Sequence, residues 1–270
     1  MRVPALLLTV AAVWPLAARA GETACWYEAD VLVVPAEVMG VAGDYVLDTG
    51  SPRTLLAETQ AQGAGYAETE LNGPVRVAGL ELSSQPVQVV KLDARLARLP
   101  TPVAGVIGAD VLAGRVLDVE FAPCRVALRS AAEAPAFGPA LALPLTWRSG
   151  RPTTTAEVFD GQRRLAGDFV VSTGADTAVR LRDDQADAPG APAREPLYPY
   201  GGVRPRLAAL AFAGDRYEAQ PGGLAAKGEL DAVGEIGGPI LSRYRLRFDF
   251  VHDRLLVDKQ KGPPDRSDGP

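Results

Sequence analysis

The residues best suited to chemistry form one short block, Asp48-Thr49-Gly50-Ser51, directly after an apolar stretch. A carboxylate that a buried strand delivers to a tight loop can act as a base toward a bound water molecule. Gly50 permits a close backbone approach that a Cβ atom would hinder. The hydroxyls of Thr49 and Ser51 can hydrogen-bond backbone and carboxylate and so hold Asp48 in place. An Asp-Gly-type turn with no catalytic role is the alternative interpretation.

This block has a counterpart in the second half of the chain, Ser172-Thr173-Gly174-Ala175, and further blocks recur around it in the same order. Such repetition at nearly constant spacing predicts a tandem duplication. Two unrelated β domains are the alternative. The matched blocks are 43–51 with 167–175, 106–112 with 235–241, 117–121 with 246–250, and 125–128 with 254–257.

Short strands must position these blocks, because runs of Val, Leu, Ile, Phe and Tyr alternate with Gly, Pro and Asn-Gly elements. This pattern predicts an all-β barrel or sandwich. The Ala- and Pro-rich stretch 131–144 is predicted to be a linker. Predicted strands are 30–34, 44–47, 75–77, 86–92, 117–121, 126–129, 154–159, 168–171, 208–212, 246–250 and 255–258, with short helices at 109–113 and 239–243.

Together these motifs resemble the retropepsin-like and pepsin-like aspartic proteases. The resemblance rests on the apolar-apolar-Asp-Thr-Gly-Ser loop and on the later apolar-apolar-Gly-x-x-apolar-Leu block, and it covers each half once. It implies two tandem β-barrel lobes that face each other across a cleft. The predicted organisation is a signal peptide (1–20), an N-terminal lobe (21–135), a degenerate C-terminal lobe (136–258) and a disordered tail (259–270).

In that family each lobe contributes one aspartate, and the two carboxyl groups share a proton. This sequence departs from the pattern at Ser172. Asp168 and Asp176 flank that position, but a strand or tight turn would direct neither of them to it. We therefore expect Asp48 to be a lone, ionised base and Ser172 to hold the water. The missing acid is worth roughly a hundred- to ten-thousand-fold in rate.

A homodimer that joins two copies of Asp48 would restore the pair of aspartates. The attached second lobe competes for the same face at a high effective concentration, so we favour the monomer. Family members also cover the cleft with a β-hairpin flap. Tyr198, Tyr200 and Gly201 form the candidate flap tip, although loop packing would explain the two tyrosines as well. Residues 71–74 (Leu-Asn-Gly-Pro) are predicted to be a hairpin turn at the matching stage of the first half.

The N-terminus indicates export. Arg2 precedes a mostly apolar run, 3–16, and 18–20 (Ala-Arg-Ala) forms a small-x-small cleavage site. The run is short for a spanning helix and contains two prolines, although a membrane anchor is the alternative. We expect a periplasmic or secreted protein that is not membrane-bound after cleavage.

Cys25 and Cys124 are the two cysteines. In an oxidising compartment they predict one disulfide, between the first strand of the mature chain and the last strand of the first half. A nucleophilic cysteine or a zinc site is poorly supported, because the one histidine, His252, lies far along the chain. We predict neither a metal nor a cofactor.

Three functions remain open. The first is an exported aspartic-type peptidase that uses Asp48 on peptides or proteins. The second is a catalytically impaired pseudoprotease that binds peptides in the cleft, which Ser172 favours. The third is a small-ligand β-barrel protein with an incidental Asp-Thr-Gly. The formal net charge of -5 argues against nucleic acid as a partner, because phosphate binding needs a basic surface.

Overall fold

The computed structural model describes residues 21–92, 96, 99–186, 188–191, 195–197 and 201–259. The predicted signal peptide, and all but residue 259 of the predicted tail, lie outside the described residues. Short strands dominate both halves. In the first half they are β1 (Glu22–Ala24), β2 (Trp26–Glu28), β3 (Val31–Val38), β4 (Val41–Leu47), β5 (Thr54–Ala57), β6 (Glu70–Val77), β7 (Leu80–Val90), β8 (Val103–Ile107), β9 (Val116–Phe121) and β10 (Cys124–Arg129), with helices α1 (Glu58–Gly63) and α2 (Ala109–Leu112).

In its described residues the second half has a similar series of strands and one short α-helix. The strands are β11 (Leu141–Pro144), β12 (Thr146–Arg148), β13 (Arg151–Asp160), β14 (Arg163–Val171), β15 (Val179–Leu181), β16 (Glu195–Leu197), β17 (Gly201–Phe212), β18 (Asp215–Leu224), β19 (Gly234–Ile236), β20 (Tyr244–Asp249) and β21 (Arg254–Lys259), with a 3-10 helix at Asp183–Ala186 and α3 at Gly238–Leu241.

Each half closes a six-stranded barrel. The first runs β3-β4-β8-β5-β7-β6, and β6 pairs back onto β3. The second runs β13-β14-β19-β15-β18-β17, and β17 pairs back onto β13. The parallel pairs β4–β8 and β5–β7 of the first barrel correspond to β14–β19 and β15–β18 of the second. This common topology confirms the predicted all-β, two-lobed fold.

A third sheet joins the two halves in the order β1-β10-β9-β20-β21-β11. At its centre β9 of the first half pairs antiparallel with β20 of the second, with Leu117 opposite Phe248 and Val119 opposite Leu246. All four side chains are buried. One hydrophobic core includes residues of both barrels and of this sheet. The buried apolar side chains that alternate along β9 and β20 therefore hold the two lobes together.

The predicted disulfide is present between Cys25 and Cys124, which lie 99 positions apart in the sequence. Cys25 follows β1, and Cys124 begins β10, the strand with which β1 pairs. The bond ties the N-terminal segment to the shared sheet. In a chain-entropy model, closing a loop of this length stabilises the fold by about 4–5 kcal/mol. None of the helices in the described part of the chain is long and apolar enough to cross a membrane.

Two local predictions are wrong. Residues 71–74 do not form a hairpin turn. They lie within β6, which pairs with β7 on one side and, further along, with β3 on the other, and the Gly73–Pro74 region is absorbed as an irregularity between Gly73 and Val75. The turn instead lies at Ala78 and Gly79, both with positive φ. Pairing of this segment with β7, and of the residues just after it with β3, therefore overrides the local turn signal.

The second wrong prediction is the extent of the linker. Residues 131–144 were predicted to lack regular structure, but their last four form β11, which pairs with β21. Pro144 is tolerated there because β11 is the edge strand of its sheet. Residues 130–140 connect the two halves.

Candidate active site

Asp48 lies at the end of β4, where the first-lobe loop meets the second-lobe loop. Its backbone N–H donates to the carbonyl of Ile107 at 3.0 Å. Its carboxylate oxygen Oδ1 accepts hydrogen bonds from Gly50 N (2.7 Å), Gly174 N (3.2 Å) and Ser172 Oγ (2.7 Å). Because these three bonds converge on Oδ1, the other oxygen, Oδ2, is the one left for a water molecule. Donors from both loops thus orient one carboxylate.

The two threonines of the loops exchange hydrogen bonds across the lobe boundary. Thr49 Oγ1 donates to the carbonyl of Val171, and Thr173 Oγ1 donates to the carbonyl of Leu47, both at 2.5 Å. Each hydroxyl also accepts the backbone N–H of the opposite threonine, at 3.1 and 3.2 Å. Both side chains are fully buried. Thr49 therefore holds the opposite lobe rather than the Asp48 carboxylate, and Ser51 Oγ donates to the Arg53 carbonyl.

Glycine is required in both loops because the opposite loop lies against it. A Cβ atom on Gly174 would lie 2.5 Å from Asp48 Cβ and 2.7 Å from Asp48 Oδ2. A Cβ atom on Gly50 would lie 2.6 Å from Ser172 Oγ. Real Cβ atoms do not approach other atoms this closely. The Gly50 and Gly174 positions therefore allow the Asp48 and Ser172 side chains to meet.

The blocks 106–112 and 235–241 hydrogen-bond to the loops of their own lobes in equivalent ways. Ser172 N donates to the Ile236 carbonyl at 3.0 Å, as Asp48 N does to the Ile107 carbonyl in the first lobe. Ala109 N donates to Ser51 O, and Gly238 N donates to Ala175 O, both at 2.8 Å. The matched blocks of the sequence therefore lie at matched places around one pseudo-two-fold centre.

Glu235 is a second carboxyl group at this centre, and the sequence analysis did not assign it a role. Its side chain is 5% exposed. Arg180 Nε donates to Oε2 at 2.6 Å, and Arg180 Nη2 contacts the same oxygen. The other oxygen, Oε1, lies 3.0 Å from the point that a Cβ atom on Gly50 would occupy. Glu235 therefore reaches from the second lobe to the Asp48 loop.

Burial and then the nearby negative charge of Asp48 raise the pKa of Glu235, whereas Arg180 acts against this shift. Burial lowers the pKa of Arg180, but the carboxylates of Glu235 and Glu229 more than offset burial, so its pKa is raised. Glu229 accepts from Arg180 Nη2 at 2.9 Å. The Arg180 guanidinium thus binds both the Glu235 and the Glu229 carboxyl groups.

A sequence signal for Glu235 did exist. In the first lobe the equivalent position is Val106, which pairs with Leu55, and both are apolar. In the second lobe the same pair of positions is Glu235 and Arg180. The second lobe therefore has a charged pair where the first lobe has an apolar pair.

The remaining predicted residues lie as follows. Asp168 accepts from Arg148 Nε at 2.7 Å, and Asp176 accepts from Thr177 Oγ1 at 3.2 Å. Tyr198 and Tyr200 lie outside the described residues, and Gly201 begins β17, where it pairs with Leu197 of β16. Among the residues that the structure describes, no group of three or more His, Cys, Asp or Glu side chains could hold a metal ion.

Comparison with known proteins gives the fold its context. No family model matches the chain, and no curated protein sequence does. Among solved structures, the aspartic proteinase from Irpex lacteus superposes with a TM-score of 0.56 at 13% sequence identity, over 92% of this chain and 99% of that protein. An identity this low establishes shared architecture alone. The chain therefore has the two-lobed, two-barrel fold of pepsin-like aspartic proteinases.

Proposed function

We propose that this protein is an aspartic-type peptidase in which Asp48 activates a water molecule for hydrolysis of a peptide bond. The observation that carries the proposal is the Asp48 carboxylate itself, held on Oδ1 by donors from both lobes. A half-buried carboxylate oriented in this way is preorganised to accept a proton from water. A barrel without such chemistry would need no carboxylate at this point.

The proposed substrate is an extended segment of a peptide or protein that lies between the lobes and pairs in a strand-like manner with the covering hairpin. The proposed flap lies next to the antiparallel pair β16–β17. The proposed lobes are 21–135 and 136–258. A disulfide supports an oxidising location, periplasmic or secreted.

A pseudoprotease that binds peptides without cleaving them is the second candidate. The observation that favours it is Ser172, which stands where a second aspartate is expected. Its hydroxyl donates to Asp48 Oδ1 at 2.7 Å. A serine hydroxyl cannot protonate a carbonyl oxygen as a carboxylic acid can. If nothing else supplies that proton, turnover is lost.

A peptide-library assay from acidic to neutral pH tests the proposal on residues 21–270. We expect the wild type to cleave and Asp48→Ala to lose at least a hundred-fold in kcat/KM, whereas the matched control Asp176→Ala retains activity. A wild type that binds peptides but cleaves none until Ser172→Asp is introduced would establish the pseudoprotease instead.

The same assay tests the proposed monomer. The first-lobe face at Asp48 is occupied by the second lobe of the same chain, through the paired threonine hydrogen bonds and the β9–β20 pairing. This arrangement supports activity within one chain. We expect specific activity that does not depend on protein concentration. Activity that rises with the square of concentration would favour a homodimer.

A further inference from the structure

The charged pair in the second lobe is not needed for the barrel fold. In the first lobe the same two positions, Leu55 and Val106, form an apolar pair in the same antiparallel register. Burying an ion pair is at best marginally favourable compared with an apolar pair of similar volume. The first lobe therefore shows that the barrel closes without Arg180 and Glu235, so the pair calls for a different explanation.

The position of Glu235 Oε1 suggests that explanation. Both Arg180 contacts fall on Oε2, so Oε1 is directed toward Gly50. Ser172 Oγ and Glu235 Oε1 both lie within 3.0 Å of one point, the Cβ position of Gly50. Ser172 in turn contacts Asp48. The serine that replaces the second aspartate and the Glu235 carboxyl group therefore both border the Gly50 position.

From this geometry we infer that Glu235 supplies the second carboxyl group of the site and holds the proton that Ser172 cannot. The inference rests on the peptidase function proposed above and deepens it. The second carboxyl group then comes from the neighbouring strand β19 rather than from the loop, which the longer glutamate side chain allows.

The charges around Glu235 favour the protonated form of its carboxyl group. Asp48 faces it from the loop after β4, Arg180 faces it from β15, and Glu229 competes for Arg180 from the segment before β19. Arg151 donates to the carbonyl of Gly50 at 2.9 Å. Three carboxyl groups around one directly paired guanidinium are not all ionised without strong repulsion.

The proposed reaction is balanced within these groups. Asp48 takes a proton from water as the water oxygen bonds to the carbonyl carbon, and Glu235 gives its proton to the carbonyl oxygen. The C–N bond then breaks as Asp48 returns its proton to the amide nitrogen. Glu235 recovers the hydroxyl proton, which leaves a carboxylic acid and an amine and restores both carboxyl groups.

A carboxyl-carbon NMR titration tests the inference without relying on turnover. The Glu235 signal, assigned by its loss in Glu235→Gln or its shift in Glu235→Asp, is followed against pH in the wild type and in Asp48→Asn. Removal of the Asp48 charge is expected to lower the titration midpoint of Glu235. Asp44→Asn, a change four residues earlier on β4, is the matched control and leaves the midpoint unchanged. A midpoint that does not respond to Asp48→Asn would overturn the inference.

Activity gives the second measurement. Glu235→Gln, checked for folding by its thermal transition, is expected to lower kcat/KM by a hundred- to ten-thousand-fold and to abolish the decline of the wild-type rate at higher pH. Glu235→Asp is expected to recover part of the rate and the decline. Glu218→Gln, which removes another arginine-paired glutamate, controls for the chemistry of the change. A reduced rate with an unchanged pH profile would overturn the role of Glu235.

The two proposals can fail separately. A wild type with no turnover would reject the peptidase, and the NMR coupling between Asp48 and Glu235 would still be measurable. Turnover that needs Asp48, combined with no such coupling, would reject Glu235 as the proton holder and leave the peptidase in place.

Discussion

At the scale of single residues, the site depends on short side chains placed against backbone. Thr173 illustrates this, because its hydroxyl donates to the Leu47 carbonyl, accepts from Thr49 N and is fully buried. A buried carbonyl or N–H that loses its partner costs about 1–3 kcal/mol. The two threonines thus contribute to stability as well as to loop geometry.

We therefore expect Thr173→Val, which keeps the shape of the side chain, to lower the free energy of unfolding by about 1–3 kcal/mol. Denaturant unfolding would measure the change. Thr177→Val, three positions after Gly174, removes a hydroxyl that contacts Asp176 and should change stability by less than about 0.5 kcal/mol. Equal losses in the two variants would contradict the role given to Thr173.

The position of Glu235 also belongs to this scale. Asp48 was expected to be a lone carboxylate because Ser172 replaces its partner in the loop. That expectation considered only loop residues, and β19 supplies another carboxyl group beside Gly50. The substitution at position 172 therefore does not by itself decide whether the protein turns over substrate.

At the scale of elements, the hairpin between β20 and β21 is closed by one buried carboxylate. Asp249 accepts from His252 N at 3.2 Å and from Arg254 Nε at 2.9 Å, and it contacts His252 Nδ1 at 2.9 Å. Burial alone would raise the pKa of Asp249, but these partners together lower it. The carboxylate therefore stabilises the turn in its charged form.

The sign of the pH dependence follows from that lowered pKa. The stabilisation is fully present above the unfolded-state value of about 3.9 and is lost as the pH falls through the lower, folded-state pKa. Asp249→Asn should cost roughly 1.5–3 kcal/mol near neutral pH and progressively less below about pH 4. Urea unfolding at several pH values would measure this.

Asp253→Asn is the matched control for that prediction. It lies in the same turn, its side chain is exposed, and its φ of +50° is one that asparagine tolerates. We expect little change in stability at any pH. A cost of Asp249→Asn that stayed constant from acidic to neutral pH would show that charge is not what stabilises the turn.

At the scale of the whole molecule, an ion pair crosses between the lobes within the shared sheet. Arg247 of β20 stands opposite Asp118 of β9, with Nε at 2.5 Å from Oδ1 and Nη2 at 2.8 Å from Oδ2. Arg247 is 7% exposed. It also donates to the Pro135 carbonyl at 2.7 Å, in the connection between the halves. Sheet pairing and this bidentate contact join the lobes into one unit.

Arg247→Met removes the bidentate partner of Asp118, which keeps only a longer contact with Arg129 Nη1 at 3.4 Å, so the variant should lower stability by roughly 1.5–3 kcal/mol. The double variant Asp118→Asn with Arg247→Met should recover part of that loss. Arg245→Met, on the same strand but more exposed and paired within its own half, should cost less than about 1 kcal/mol. Calorimetry would compare the three, and an Arg247→Met cost no larger than that of Arg245→Met would contradict the proposed coupling of the lobes.

Much of the fold could be predicted from sequence because its signals are local. Short apolar runs between turn residues encode strands, and repeated blocks reveal duplication without any structure. Those signals located β4 and β14 and the loops that follow them, including Asp48 and Ser172. The wrong turn at 71–74 and the unpredicted β11 show the limit, since a partner strand decided both, and partner strands are remote in sequence.

The sequence alone determined that each half is a β lobe, that one loop carries an aspartate and that the other carries a serine, because alternation and tight-turn chemistry are written within a few neighbouring residues. Only the tertiary structure decided which groups surround that aspartate. The threonine exchange joins residues 124 positions apart, and Glu235 reaches Gly50 from the opposite barrel. Contacts of this kind depend on how two closed barrels pack, which no local pattern specifies.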